Sequence, residues 1–285
     1  MTTVPRHPAD RELAQKQVDV LASQMGFYVD YVEKDAAALK NVLGRALTLT
    51  RYGSVLDPAA AEARTWTDLR TAAQAATAVF SAAAGSGELE AVVTKPLRFK
   101  ATGPVSYANA GAWLSAVWLA IVNREDELVQ RLCAIDEETL RASGAVHDTY
   151  VQPWVRTVRN FLTGQEIPPA LLAAALDGTD PDTARVAPPR ALAQLSYPPV
   201  EMFHHLLRRD SAKFNASLAR ALEQHRKYWT AAPDLADDPE GFIAFAPLAV
   251  AVLARSAGLP VEVESPYLPS NFLSGRRVQP GGAVS

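Results

Sequence analysis

Three histidines, His204, His205 and His225, come closest in type and spacing to a catalytic or metal-binding group. Neighbouring residues on a helix point about 100° apart, so His204 and His205 do not readily ligate the same ion. His225 approaches one of them only if the two helices that carry them pack as a hairpin. The metalloprotease pattern His-Glu-x-x-His is missing from the sequence. The pattern therefore favours ordinary buried or half-buried histidines, and we predict no metal or other cofactor.

Other catalytic signatures are missing from the sequence as well. There is no Gly-x-Ser-x-Gly elbow, and Gly85, Gly87 and Gly103 fit neither nucleotide-binding spacing. Cys133 is the only cysteine, which excludes an intrachain disulfide and a Cys-based metal site. A lone cysteine on an apolar helix is typical of a small core residue. We therefore predict that the protein has no catalytic residues and is not an enzyme.

Acidic residues cluster in two segments that have the composition of exposed loops. A solvated rim is the simpler interpretation; the functional one is a negative surface that captures a basic protein partner. We place this surface at residues 234–240, with residues 177–182 as a second candidate and the aromatic surface around Tyr267 as the alternative. The predicted partner-binding residues are Asp234, Asp237, Glu240, Asp177, Asp180, Asp182 and Tyr267.

Composition limits the class of protein. The chain has 285 residues, a formal net charge of −3 and a pI near 6.0, which argues against nucleic-acid binding. The N-terminus has no apolar run typical of a signal peptide. The solid apolar part of the longest uncharged run, residues 112–122, is too short to span a bilayer. We therefore expect a cytoplasmic protein of one or two domains that binds no membrane.

Hydrophobic periodicity predicts the elements that must position these residues. Most of the chain repeats at helical spacing, and two segments, near residues 113–133 and 203–229, share the order apolar helix, charged corner, second helix. Only residues 88–101 alternate with period two, which predicts a β-hairpin. We therefore predict a mainly α fold, a single multi-helix domain of stacked helical hairpins with one small β-hairpin. The predicted core includes Trp113, Trp118, Phe214, Leu218, Phe245 and Leu248.

Turn residues predict the boundaries. Asp57-Pro58 and Asp238-Pro239 each read as a capped helix start. Residues 179–189 are either a linker between two halves or, the interpretation we favour, a surface loop within one domain. We expect residues 1–8 to be a flexible N-terminus, residues 9–270 a helical domain, and residues 271–285 a flexible tail.

Seven blocks of the sequence are informative through their order and spacing. They are Thr102-Gly103-Pro104-Val105-Ser106, Asn109-Ala110-Gly111-Ala112-Trp113-Leu114, Arg124-Glu125-Asp126, Arg141-Ala142-Ser143-Gly144-Ala145, residues 203–229, Asp238-Pro239-Glu240-Gly241 and Glu264-Ser265-Pro266-Tyr267-Leu268-Pro269. Taken in order, these blocks resemble the immunity protein 49 family of bacterial polymorphic toxin systems. Two features depart from the family pattern: Ala112 stands where a polar residue is expected before the tryptophan, and the tail after Pro269 differs.

The resemblance implies a helix-rich protein that binds a cognate toxin stoichiometrically and so protects the producing cell. It transfers no catalytic residues. Two other classes stay open. A helical-repeat adaptor for protein–protein interaction fits the hairpin pattern equally well, and the neighbouring gene would distinguish it. An enzyme with an unfamiliar helical active site would centre on His204 or His205, and metal analysis with alanine variants would reveal it.

Overall fold

The computed structural model describes residues 1–277 of the chain. Helices take up 65% of the structure, so the predicted mainly α fold is confirmed. The elements in chain order are β1 (Thr2–Thr3), α1 (Arg11–Tyr31), a 3₁₀ turn (Ala36–Ala38), α2 (Leu39–Leu56), α3 (Ala63–Ala84), β2 (Glu88–Val93), β3 (Lys95–Lys100), α4 (Ala110–Asn123), α5 (Asp126–Cys133), α6 (Glu137–Ala142), α7 (Val151–Leu162), α8 (Pro169–Asp177), a 3₁₀ turn (Pro181–Thr183), α9 (Pro189–Ala191), a π-helical turn (Leu192–Ser196), α10 (Tyr197–Leu207), α11 (Ser211–Trp229), α12 (Pro233–Ala236), a 3₁₀ turn (Pro239–Phe242), α13 (Phe245–Ser256), β4 (Val263–Glu264) and α14 (Ser270–Ser274).

The chain divides into two compact units. One unit, which we call the 146–274 unit, consists of Val146–Ser274 together with Met1–Ala9. The other, the 10–145 unit, consists of Asp10–Ala145 joined by the described residues 275–277. The loop at residues 179–189 lies within the 146–274 unit, so it is not a linker between the two units.

The 10–145 unit is built around α3, which packs against α2 on one side and α4 on another. Alanines make up much of the buried surface of α3, and small side chains allow neighbouring helices to approach closely. The hydroxyl of Thr77, which is buried on α3, donates a hydrogen bond to the Ala73 carbonyl at 2.9 Å. On α4, the fully buried Trp113 donates its indole N–H to the Leu132 carbonyl at 2.7 Å, which ties α4 to α5.

The start of α3 differs from the prediction at Asp57-Pro58, since the helix begins six residues later, at Ala63. The Asp57 carboxylate still organises this start, but from the preceding loop. It accepts the backbone N–H groups of Ala61 and Glu62 and the hydroxyl of Thr65 at 2.8–2.9 Å. Because those donors lie in the loop and first turn, the Asp-Pro pair marks the approach to the helix and not its first residue.

The predicted β-hairpin is confirmed. Strands β2 and β3 pair antiparallel, from Glu88 opposite Lys100 to Val93 opposite Lys95. Thr94 at the tip adopts φ +61°, the left-handed conformation that so tight a reversal requires. Alternation places Leu97 and Phe99 in the core while their neighbours face solvent, so the hairpin covers α3 with one face.

The 146–274 unit has its core where α10, α11 and α13 meet. Phe214 and Leu218 on α11 and Leu248 on α13 are fully buried, as predicted. Phe245 is only half-buried, because it is the first residue of α13. Pro239–Ser256 is apolar enough by length and composition to cross a membrane, but 61% of it is buried inside the protein.

Both ends of the predicted domain differ from the expectation of flexible termini. Thr2 and Thr3 form a parallel pair with Val263 and Glu264, and Val4 is buried. Near the other end, Phe272 is fully buried within α14. Backbone hydrogen bonds hold the N-terminal segment in place, and its amino-acid composition does not predict them. Residues 278–285 of the predicted tail lie outside the described part of the chain.

Candidate functional site

The first acidic segment forms two short turns after α11. Asp234 and Asp237 stand on and just after α12, and Glu240 lies in the following 3₁₀ turn; all three are exposed. Asp238 caps this turn by accepting the Glu240 backbone N–H at 2.8 Å. The Asp-Pro pair therefore begins a single 3₁₀ turn, whereas the long helix that we predicted there starts only at Phe245.

The acidic turns are held firmly from beneath by α11. The Nε2 of His225 lies 3.0 Å from the Gly241 carbonyl, within hydrogen-bonding distance. A Cβ at Gly241 would come within 2.8 Å of the Trp229 ring, so only glycine allows this approach. The backbone is thus fixed against α11 while the three carboxylates face solvent, which is the arrangement that a preformed charged surface needs.

The second acidic segment follows α8. Asp177 is the last residue of α8, Asp180 accepts the Asp182 backbone N–H at 3.0 Å, and all three aspartates are exposed. The loop beyond them is anchored by the buried Asp148. Its carboxylate accepts the backbone N–H groups of residues 185, 186 and 187 at 2.7–3.0 Å.

The pKa of Asp148 has two opposing causes. Burial is the largest single one and raises it, but the three backbone hydrogen bonds and the neighbouring His147 together outweigh burial and hold the pKa below its usual value. The carboxylate therefore stays ionised. The hydrogen bonds to Asp148 thus give a defined backbone conformation to a loop whose composition predicts irregular structure.

Both acidic segments attach to the C-terminal end of α11. The turn that carries Asp182 packs against α9, and Arg190 of α9 donates to the Lys227 carbonyl at 2.6 Å. The Arg190 guanidinium also lies over the Tyr228 ring, 5.7 Å from its centroid. Asp234 follows the same end of α11 through α12. The surface formed by the two acidic segments and α9 therefore carries cations as well as carboxylates. Its negative charge lies at the two acidic segments.

The structure corrects the assignment of Tyr267 as a surface residue. Its side chain is 0% exposed, and its hydroxyl lies 2.7 Å from Nδ1 of His7. Its ring packs edge-on against His225, with centroids 4.8 Å apart. The sequence shows an aromatic residue between two prolines, which is typical of an exposed turn, but it does not show that the N-terminus covers it. The buried Tyr267 side chain therefore does not belong to the predicted partner-binding surface.

The clustered histidines form no ligand set with each other. His204 and His205 place their rings edge to face with centroids 5.3 Å apart on α10, and His225 contacts Trp229 and Tyr267 instead. Burial, followed by the neighbouring His204, lowers the pKa of His205. Within residues 1–277, no group of three or more His, Cys, Asp and Glu side chains is placed to hold a metal ion.

A cavity of about 460 Å³ opens in the 10–145 unit beside the hairpin. Its lining carries charge of both signs, from Lys34, Asp35, Arg98 and Lys100, together with the ring of Tyr107. The lining contains no histidine, cysteine or serine. We assign no function to this cavity.

Sequence reasoning missed an exposed apolar surface on α1. Leu13, Val20, Phe27 and Tyr31 are each at least 37% exposed, although they belong to a long regular helix. The signal is present in the sequence as a seven-residue spacing from Leu13 to Val20 to Phe27. It was hidden because the same helix also carries an apolar face that does enter the core.

The comparisons with known proteins agree with the ordered sequence blocks. The model of the family described as Immunity protein 49 matches residues 57–272. This match confirms the predicted resemblance and covers the hairpin, both acidic segments and α11. No curated protein and no solved structure matches the chain.

Proposed function

Because this chain belongs to the immunity protein 49 family, we propose that it neutralises a cognate protein toxin by binding it stoichiometrically in the cytoplasm of the producing cell. The family name denotes an immunity protein, which implies a protein partner and a role other than catalysis. The observation that carries the proposal is the family match over residues 57–272, most of both units. A binding role also fits the surface features described above.

The proposed binding surface is the first acidic segment, with Asp234, Asp237 and Glu240 as its contacts. These side chains are exposed on turns fixed against α11, so little conformational entropy is lost when a partner binds. Complementary charge would speed the encounter with a basic toxin surface. The second segment attaches to the same end of α11 and extends this surface, through Asp177, Asp180 and Asp182.

The test is a titration of protection in cells. The protein is co-expressed at graded levels with the product of the neighbouring toxin gene, and both are quantified. We expect survival only where the protein is at least equimolar with the toxin, because a bound inhibitor is consumed one for one. Survival at a small fraction of the toxin level would overturn stoichiometric binding and point to an enzyme acting on the toxin or its target.

A pair of histidine variants is the matched control for the enzymatic alternative. His204→Ala and His205→Ala remove the residues around which an unfamiliar active site would be built. We expect both variants to protect at the same equimolar threshold as the parent protein. A loss of protection in either, with folding and toxin binding intact, would contradict the binding mechanism.

A further inference from the structure

The pairing of β2 with β3 fixes which backbone groups of the hairpin point outward. Successive residue pairs of an antiparallel ladder alternate between pairs that exchange backbone hydrogen bonds and pairs whose N–H and C=O groups face away from the partner strand. The N–H of Arg98, which lies opposite Glu90, donates out of the sheet to the Glu33 carboxylate at 3.3 Å. Pro96 lies opposite Val92 and has no N–H for the ladder. The backbone groups of Glu90 and Val92 therefore point outward from β2.

The two outer edges of the hairpin differ in what covers them. On β3, Pro96 offers no donor, and the Glu33 carboxylate takes up the N–H of Arg98. On β2, no hydrogen bond from another element of residues 1–277 reaches the outward backbone groups of Glu90 and Val92. An open strand edge of this kind is a template on which another chain can add a strand.

A groove of about 380 Å³, which we call the β2 groove, runs beside this open edge. Glu90 and Val92 line it on the side of β2, and Leu128 lines it on the side of α5. Ala78 and Ser81 of α3 form its floor, since α3 contacts both β2 and α5. This volume falls within the roughly 300–1,000 Å³ of ligand pockets. A strand added to β2 would lie about 4.8 Å from it, in the space that the groove occupies.

The charged side chains that line the β2 groove are paired within the chain. The pairs are Arg70 with Glu125 at 3.1 Å, Arg131 with Glu127 at 2.6 Å, and Glu90 with Arg98 at 2.7 Å. A charged side chain that entered the groove would leave water without gaining an unpaired partner of opposite charge. Side chains of a strand alternate between its two faces, so a segment that fits has small, uncharged residues at every second position.

We propose that the β2 groove binds one extended, uncharged segment of the toxin, which adds to β2 as a third strand. The walls of the groove indicate this occupant. A second copy of the chain does not fit through its own β2, because its β3 would then take the place of α5. A loop or chain end with no further strand beside it meets no such obstacle. Its backbone pairs with the outward N–H and C=O groups of Glu90 and Val92.

This inference rests on the proposed function, because it assigns a further contact to the same toxin. The β2 groove belongs to the 10–145 unit, whereas the acidic segments belong to the 146–274 unit, so the two sets of residues can be varied separately. A parent protein that binds no toxin overturns both proposals. A toxin that binds the parent and the groove variants equally well overturns the groove and leaves the immunity role standing.

Hydrogen exchange resolved to single amides tests the strand pairing. The purified protein is measured alone and with an equimolar amount of the product of the neighbouring toxin gene. In the free protein we expect the amides of Glu90 and Val92 to exchange faster than that of Ala91, which points into the ladder. In the complex we expect exchange at Glu90 and Val92 to slow by about tenfold or more.

Two outcomes of the exchange experiment would overturn the proposal. One is an unchanged exchange rate at Glu90 and Val92 in a complex that has formed. The other is protection of these amides in the protein alone that grows with its concentration, which would assign the open edge to a second copy.

Two variants block the β2 groove in different ways. Val92→Pro removes an outward N–H and keeps the inner ladder bonds, as the native Pro96 does on β3. Ser81→Trp fills the floor and leaves β2 unchanged. We expect each variant to raise the Kd for the toxin, measured by isothermal titration calorimetry, by about tenfold or more, because backbone groups of the toxin segment lose their partners.

The matched controls are Val92→Thr, which keeps the backbone N–H, and Ser81→Ala, which keeps the groove open. We expect each control to change the Kd by less than about threefold. Circular dichroism checks the fold of every variant, and Ser81→Trp decides the outcome if Val92→Pro perturbs the hairpin. A folded groove variant that binds as tightly as the parent, or a control that weakens binding as much as its groove variant, overturns the proposal.

Discussion

The hydroxyl oxygen of Tyr267 lies 2.7 Å from Nδ1 of His7 and accepts the backbone N–H of His7 at 3.1 Å. The hydroxyl and Nδ1 are therefore within hydrogen-bonding distance, and the tautomer of the imidazole sets which of the two donates. Burial raises the pKa of Tyr267 and, with Arg6 second, lowers that of His7, so both groups are uncharged at neutral pH. This contact fixes the N-terminal segment within the 146–274 unit.

Tyr267→Phe should lower the free energy of unfolding by about 1–2 kcal/mol. The ring still fills its site, but the His7 backbone N–H and Nδ1 lose their partner in a buried setting. Equilibrium urea unfolding measures the change, with the exposed Tyr31→Phe as the control, for which we expect a change within about 0.5 kcal/mol. Equal losses in the two variants would contradict the anchoring role.

Asp148→Ala should cost about 2–4 kcal/mol of stability and loosen the loop that it anchors. Three backbone donors at residues 185–187 lose their common acceptor. Arg185 is exposed in this loop, so tryptic cleavage there should become faster. Asp182→Ala changes an exposed carboxylate of the same segment and serves as the control. A cleavage rate equal to that of the parent would show that other contacts hold the loop.

The stability of the 10–145 unit should fall as the pH rises from about 4 to above 6, because burial raises the pKa of Asp68 to about 6 despite the nearby Arg64. The folded state then holds a proton that the unfolded state has already released, so ionisation disfavours folding. Asp68→Asn should flatten this pH dependence and raise the free energy of unfolding at pH 7.5 by about 1–3 kcal/mol. Unfolding curves across pH measure it.

The control for that experiment is Asp19→Asn, which changes an exposed carboxylate on α1. It should leave both the pH dependence and the stability at pH 7.5 close to those of the parent. If Asp68→Asn lowers stability at pH 7.5, the carboxylate is stabilised by its surroundings and the assigned sign is wrong.

Reversing the charges of Asp234, Asp237 and Glu240 to lysine should slow association with the cognate toxin by about tenfold at low salt and flatten its salt dependence. All three are exposed, so stability should change little. Asp238 is spared because it caps the 3₁₀ turn. Stopped-flow mixing of the purified pair measures the rate.

The matched control reverses Glu88, Asp126 and Glu138, three exposed acids of the 10–145 unit, and so changes the net charge equally. It should have the smaller effect on the association rate. If the two triple variants slow association alike, the effect comes from total charge, and the first acidic segment is not the contact.

Phe214→Ala should destabilise the protein by about 3–5 kcal/mol, because this fully buried ring lies in the core of the 146–274 unit. Phe245→Ala removes the same group from a half-buried site at the start of α13, so its cost should be less than half as large. Urea unfolding of both variants measures the difference. Similar losses would mean that Phe245 is packed as tightly as Phe214.

Local patterns predicted the elements that they alone determine. Period-two alternation located the hairpin, and apolar stripes located Trp113, Phe214 and Leu218 in the core, since each pattern directly describes which side chains face inward. The Asp-Pro starts were less reliable. Asp57 caps from the loop before α3, because its side chain reaches donors four, five and eight residues ahead.

Long-range contacts could not be predicted from such patterns. Nothing near Thr2 and Thr3 indicates that they pair with Val263 and Glu264, and nothing near Tyr267 indicates that His7 covers it. These contacts join residues about 260 positions apart, so no local window contains both partners. The acidic residues of the candidate site are exposed, but their role in binding stays a prediction.

The pairing of β1 with β4 also has a consequence for the order in which the newly made chain can fold. Thr2 and Thr3 leave the ribosome more than 250 residues before their partners Val263 and Glu264. Residues 10–145 are complete well before that point and can become compact during translation, because domains generally fold as units from the N-terminal side. The N-terminal strand must then remain accessible until the last helices emerge, so a bulky N-terminal fusion would be expected to delay the final step of maturation.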